Sequence, residues 1–126
     1  MDDNRITVYT FTRMQPQATD TDLLTAQREM DAYCKDNGYR IVGSAFTREP
    51  SEKMSTVMEN ILTDMKTKNA ELLIIPDISR LGRNTATVAG IVKAFAAEGI
   101  DIEITADGSR PTQQLAPDAE PFIQGM

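Results

Sequence analysis

Two arginines three residues apart, Arg80 and Arg83, follow the most apolar run of the chain and are the residues best suited to chemistry. The run at residues 72–76 is short and bounded by polar residues, which predicts a buried parallel strand. Functional groups in open α/β sheets gather at the carboxyl ends of such strands. Because a guanidinium group binds phosphate through two parallel hydrogen bonds, the pattern predicts a phosphate or nucleic-acid backbone site at that edge.

A less specific interpretation of the same pair stays open. In it, the two arginines are exposed to water, or form a salt bridge with Asp77, at the point where the chain leaves the strand. Arg13 follows the first predicted strand and falls at the same sheet edge, which favours the phosphate site. Ser79 stands next to Arg80 and is a candidate nucleophile. Its base would be Asp77 or a water, because the chain contains no histidine.

Composition limits the classes of function that the chain can have. Its 126 residues, 40% apolar and 25% charged, suit one domain with one core. The lack of histidine and of glycine-rich nucleotide loops predicts no metal site and no cofactor. The net charge of −6 argues against coating DNA by bulk charge, so any contact with nucleic acid is local or belongs to a partner.

Other features of the sequence concern its location. No apolar run approaches the roughly 18 residues of a membrane span, and the acidic N-terminus lacks the apolar region of a secretory signal. One cysteine permits no intramolecular disulfide, so we expect a cytoplasmic protein with no membrane contact.

Hydrophobic periodicity predicts strands and helices in strict alternation. The predicted strands span residues 6–11, 40–46, 71–76 and 100–104, and the helices between them lie at about 20–37, 52–68 and 85–98. This order predicts an α/β fold, a three-layer sandwich in which helices cover both faces of a central, mostly parallel sheet. Ser51 is the predicted N-cap of the second helix. Core positions are predicted for Cys34 and for the methionine stripe of Met54, Met58 and Met65.

The chain divides by composition near residue 105. Residues 1–105 form the predicted α/β domain. Residues 106–126 carry three prolines and little periodicity, which predicts a tail or docking arm.

Several collinear stretches resemble the catalytic domain of the serine recombinases, the family of resolvases, invertases and large serine integrases. Residues 9–15 (Tyr-Thr-Phe-Thr-Arg-Met-Gln) resemble the Tyr-x-Arg-x-Ser segment that holds the family's nucleophile. Residues 23–38 resemble the helix that follows, with its Tyr-Cys…Gly ending. Residues 78–85 (Ile-Ser-Arg-Leu-Gly-Arg-Asn-Thr) resemble the family's Leu-Asp-Arg-Leu-Gly-Arg-x-Thr segment, and residues 100–109 resemble its last strand and exit. Together they cover about residues 5 to 110.

The resemblance implies a domain in which a serine attacks a DNA phosphodiester and arginines stabilise the phosphate charge. Arg13, Arg80 and Arg83 match family arginines and are the implied phosphate and DNA ligands. Gln15 occupies the nucleophile position, and its amide cannot form the phosphoester. Ser79 replaces the acid before the first arginine of the pair.

Another family arginine lies between the second strand and the second helix, and its equivalent stays open. The nearest basic residues are Arg48 and Lys53, and the spacing fits neither cleanly.

These departures favour a catalytically degenerate member of the family. The predicted function is a protein-interaction or DNA-associated regulatory module of a mobile element, with a protein partner or a second copy and with DNA at the arginine edge. Two alternatives stay open: an active DNA recombinase or nuclease that uses a displaced hydroxyl such as Ser79, and a nucleotide- or polyanion-binding module.

Overall fold

The alternating pattern is realised as a three-layer α/β fold. The structure, a computed structural model, describes residues 4–115. Its regular elements are β1 (Thr7–Arg13), α1 (Asp20–Asp36), β2 (Arg40–Thr47), α2 (Met54–Lys68), β3 (Leu72–Ile75), α3 (Thr85–Ala97), β4 (Asp101–Ile104) and α4 (Pro111–Leu115). Short 3₁₀ turns at Ser51–Lys53 and Ile78–Leu81 precede α2 and α3.

All strand pairs in the four-stranded sheet are parallel, and the strand order is β2-β1-β3-β4. β3 is an inner strand, and its four side chains are at most 2% exposed. Burial on both faces explains why this strand is an unbroken apolar run instead of an alternating one. β4 lies at an edge, as its alternating pattern predicts. The predicted α/β class is confirmed.

Helices cover both faces of the sheet, which confirms the three-layer arrangement. On one face, α1 packs Met30 and Cys34 against side chains of β1 and β3. On the other face, α2 and α3 enclose the larger part of the core. The methionine stripe of α2 and Cys34 are at most 1% exposed, so the predicted core positions are confirmed.

Most element boundaries lie within one residue of the prediction, and two differ by two residues, both at the sheet's carboxyl edge. β1 continues two residues past Phe11 because Arg13 pairs with Thr47 of β2. α2 begins at Met54 after a 3₁₀ turn, and neither this turn nor α2 has a side-chain N-cap. The predicted capping role of Ser51 is therefore wrong, because its hydroxyl is engaged elsewhere.

β2 is the other edge strand, and its outer side is weakly protected. No charged residue stands between Arg40 and Arg48, and Ile41 and Phe46 are 38% and 45% exposed. A register shift between the Val8 and Tyr9 pairs puts a bulge into this strand. Bulges of this kind twist an edge away from further pairing.

The chain that follows β4 returns across that strand and is fixed to it. Arg110 forms ion pairs with Asp101 at 3.2 Å and with Glu103 at 2.8 Å, and the Thr112 hydroxyl donates to Asp101 at 2.9 Å. Tyr33 donates to Glu103 as well, at 2.5 Å. Residues 116–126 of the predicted tail lie outside the described residues, and the predicted boundary near residue 105 stays a prediction.

Candidate phosphate-binding cleft

A cleft of about 520 Å³ opens at the carboxyl edge of the sheet. Three segments form it: the loop after β1, the loop between β2 and α2, and the loop that leads into α3. The lining residues are Arg13, Gln15, Pro16, Arg48, Glu49, Pro50, Ser51, Glu52 and Arg83. Because the strands are parallel, residues that are far apart in sequence meet at this edge.

Arg13 reaches the cleft because it is the last residue of β1. Pairing with Thr47 fixes its backbone, and the next amide, Met14 N–H, donates to the Thr47 carbonyl at 2.8 Å. The buried Nε atom of Arg13 makes no hydrogen bond to any residue of the described range 4–115. A guanidinium group held in this way has bonding capacity left for a ligand.

Gln15 also lines the cleft and is exposed. The Gln15 carbonyl accepts from the Ala18 N–H at 3.0 Å, which closes the turn after β1. Its side chain is an uncharged amide, which can donate and accept hydrogen bonds but cannot serve as a nucleophile in phosphoryl transfer.

Arg48 is the residue that sequence reasoning failed to place. Its Nη2 donates to the Ala18 carbonyl at 3.0 Å, and its guanidinium carbon lies 5.4 Å from the centre of the Phe46 ring. These contacts direct the side chain to the wall shared with the loop after β1. Lys53, the other candidate, is not among the lining residues. The contact with Ala18 spans thirty residues of sequence, so no local pattern could have found it.

Arg80 lies beside the cleft and not in its lining. Its Nη1 donates to the Arg13 carbonyl at 3.0 Å. Its buried Nε lies 3.5 Å from Asp77 Oδ2, which is within ion-pair range but forms no hydrogen bond. Arg80 thus fixes the backbone of Arg13. The ion pair with Asp77 is partly exposed and contributes little to stability by itself.

Ser79 lies on the same turn as Arg80. Its hydroxyl and its amide N–H both donate to Asp77 Oδ1, the amide at 3.0 Å. Asp77 thereby caps the 3₁₀ turn at Ile78–Leu81. Ser79 is not among the residues that line the cleft.

Arg83 enters the cleft on a turn that only glycine can make. Gly82 has a φ of +129° and a ψ of 177°, a region that is essentially restricted to glycine. The Arg83 N–H then donates to the Ser51 hydroxyl at 2.7 Å. A side-chain carbon at position 82 would stand 3.2 Å from that hydroxyl oxygen, so the two walls of the cleft meet closely here.

The cleft combines three guanidinium groups with the carboxylates of Glu49 and Glu52. Among residues 4–115, no ion pair joins either carboxylate to Arg13, Arg48 or Arg83. The three positive charges are therefore available to an anion. The cleft therefore carries one excess positive charge, whereas the whole chain has a net charge of −6.

A separate polar cluster lies at β4, away from the cleft. Glu103 is 4% exposed and accepts from Tyr33 and Tyr39. Burial and the bond to Glu103 raise the pKa of Tyr33, and burial is the main cause of the raised pKa of Tyr39. Burial acts to lower the pKa of Arg110, but its hydrogen bonds to Glu103 and Tyr39 raise it above the usual value. Every group in this cluster is occupied, so we assign it a structural role.

The described residues contain neither a metal-ligand cluster nor a membrane-spanning helix. In residues 4–115 no group of three or more His, Cys, Asp or Glu side chains could hold a metal ion. No helix in that range has the length and apolar character needed to cross a membrane.

The fold and the cleft together define an α/β domain with an arginine-lined, phosphate-compatible site at the carboxyl edge of a parallel sheet. Residues 8–124 match the family model described as "Resolvase, N terminal domain". The chain therefore belongs to the resolvase family of serine recombinases, and the resemblance of its sequence motifs is confirmed.

Solved structures of similar fold agree with this assignment. The N-terminal catalytic domain of TP901-1 integrase has a TM-score of 0.70 at 16% identity, covering 84% of this chain and 82% of that one. A resolvase family site-specific recombinase from Streptococcus pneumoniae has a TM-score of 0.69 at 22% identity, covering 94% and 88%. The C-terminal catalytic domain of ISC1926 TnpA, an IS607-like serine recombinase, has a TM-score of 0.67 at 18% identity, covering 90% and 78%. At these identities the likeness concerns the fold alone.

Proposed function

We propose that this chain is a non-cleaving serine-recombinase domain that binds a DNA backbone phosphate in the arginine cleft and regulates DNA recombination by a mobile element. The observation that carries the proposal is the cleft itself. It holds Arg13, Arg48 and Arg83 without ion-pair partners among residues 4–115. The sequence resemblance implies in addition that Gln15 takes the place of the family's serine.

The charge balance supports a local contact with one phosphodiester. A phosphodiester carries a single negative charge, which matches the one excess positive charge of the cleft. The rest of the chain is acidic and repels the duplex, so a long electrostatic footprint is not expected. A protein partner, either a cleaving recombinase or a second copy of this chain, would then supply the remaining DNA contacts.

Salt dependence of DNA binding tests the phosphate contacts. The affinity for a generic DNA duplex is measured by fluorescence anisotropy over a range of salt concentrations. One phosphate contact predicts a slope of log affinity against log salt of about −0.9, and a variant that loses this contact should have a slope closer to zero. Arg48→Gln and Arg83→Gln should each show that change. Arg28→Gln, an equal charge change at an exposed position of α1 outside the cleft lining, should leave both the affinity and the slope nearly unchanged.

A cleavage assay tests the second half of the proposal. Supercoiled plasmid is incubated with the purified chain, and the products are separated on denaturing gels. We expect neither nicks nor a covalent protein–DNA adduct, because Gln15 supplies no nucleophile. An adduct that disappears in Ser79→Ala would establish the alternative of a displaced hydroxyl. DNA affinity that is identical for Arg48→Gln, Arg83→Gln and Arg28→Gln would refute the phosphate site.

A further inference from the structure

Ser51 is the only residue with a hydroxyl group among the nine described residues that line the cleft. It stands on the first residue of the 3₁₀ turn that precedes α2, on the wall that also carries Arg48 and Glu49. Since the turn does not use the Ser51 side chain as a cap, the hydroxyl is free of the local role that its position in the sequence suggests.

The hydrogen bond from Arg83 leaves the proton of the Ser51 hydroxyl free to be donated. A serine hydroxyl has one proton to donate and two lone pairs to accept with. One lone pair accepts from the Arg83 N–H at 2.7 Å. Within residues 4–115 no hydrogen bond uses the hydroxyl proton, so it is available to a ligand acceptor.

The position of the oxygen is fixed from both walls. Ser51 and Arg83 are 32 residues apart in sequence, and their hydrogen bond joins the loop before α2 to the loop before α3. Gly82 lies close to the same oxygen, and a side-chain carbon at this position would stand only 3.2 Å from it. A donor that is held in place before the ligand arrives loses little conformational entropy on binding.

We propose that Ser51 is a phosphate ligand of this cleft, donating its hydroxyl proton to a phosphate oxygen while the Arg83 N–H holds its own oxygen in place. The inference rests on the proposed phosphate-binding function and adds to it a neutral donor. Phosphate oxygens that already accept from Arg48 and Arg83 still have lone pairs for a hydroxyl. Ser51 therefore binds the anion directly and also sets the separation of the two walls.

An NMR titration with inorganic phosphate at constant ionic strength tests this role. The folded, isotope-labelled protein is followed through its backbone amides, and the Arg83 amide reports on the bond to Ser51. Ser51→Ala should bind phosphate about tenfold more weakly, since hydrogen bonds to charged groups contribute about 1.5 kcal/mol or more. Ser51→Thr keeps the hydroxyl and should bind as the wild type does. Ser55→Ala, an exposed serine of α2 outside the cleft, is the matched control and should leave the affinity unchanged.

The variants separate failure of the inference from failure of the proposed function. Absence of phosphate binding by the wild-type chain would overturn the proposed function. Wild-type binding with an unchanged affinity in Ser51→Ala would overturn the role of Ser51 alone. If Ser51→Ala does not fold, Ser51→Cys decides, because the thiol fills similar space but is a weak donor. An affinity equal to that of the wild type in Ser51→Cys would overturn the inference, and a tenfold loss would support it.

Discussion

Replacing Gly82 by alanine is the sharpest test of how the cleft is built. Gly82 ends the 3₁₀ turn at Ile78–Leu81 with a φ of +129° and a ψ of 177°. A methyl group there meets two obstacles, namely a backbone conformation that residues with a side chain rarely adopt and the Ser51 hydroxyl oxygen at 3.2 Å. Relief of either obstacle moves Arg83, because its amide is bonded to that same oxygen.

The backbone alone sets the size of the effect. Occupying this region with a residue other than glycine costs about 1 to 3 kcal/mol. The close approach to Ser51 adds to that cost unless the loop before α2 shifts. We therefore expect Gly82→Ala to lower the free energy of unfolding by about 2 kcal/mol, which is a large part of the stability of a small domain.

Gly90 provides the matched control on the same side of the sheet. It lies inside α3, and a side-chain carbon there would meet nothing within 4 Å. Alanine should raise stability at this position by about 0.5 to 1 kcal/mol, because glycine is entropically unfavourable within helices. Urea denaturation followed by circular dichroism measures both variants. If Gly82→Ala is as stable as the wild type, the turn is not what places Arg83 and the account of the cleft is wrong.

Other predictions concern the buried polar groups. Burial is the main cause of the raised pKa of each tyrosine of the chain, Tyr9, Tyr33 and Tyr39. The protonated tyrosines therefore contribute fully to the free energy of unfolding below pH 10, and this contribution is lost as the pH rises further. An ultraviolet titration should show tyrosinate appearing only with alkaline unfolding, and ionisation in the folded state near pH 10 would contradict this. Burial raises the pKa of Cys34 to about 11, so a thiol reagent should label the native chain only as fast as it unfolds, whereas rapid labelling would place the thiol at the surface. Arg110→Ala should cost about 3 kcal/mol in urea denaturation, because it removes the cation beside buried Glu103; a loss below 1 kcal/mol would show that the tyrosines alone satisfy the carboxylate.

The elements with strong local patterns were predictable, and the reasons are physical. β3 is buried on both faces, so its sequence had to be an unbroken apolar run. The methionines of α2 recur at helical spacing because one stripe of that helix faces the core. From such patterns follow the fold class, the order of elements and the sheet edge at which Arg13 and Arg83 lie.

The interior of the cleft was less predictable because its contacts are long-range. Arg48 was left unplaced because the contact that directs it, to the Ala18 carbonyl, belongs to another loop. Ser51 had the sequence signature of a helix cap, but its hydroxyl serves Arg83 instead. Arg80 and Arg83 form one motif in sequence, yet the backbone at Gly82 sends them to different places. The three-residue spacing in the sequence does not show that the backbone at Gly82 separates the two arginine side chains.

The exposed edge of β2 has a consequence for the behaviour of the protein in solution. A strand without charges between its ends, showing Ile41 and Phe46 to water, offers backbone donors and acceptors to a strand of another molecule. The bulge in β2 and the negative charge of the whole chain both oppose that pairing. Acidification towards pH 4.6, the isoelectric point of the sequence, removes the net negative charge. The tendency of the chain to associate through this edge should therefore rise as the pH falls towards the isoelectric point.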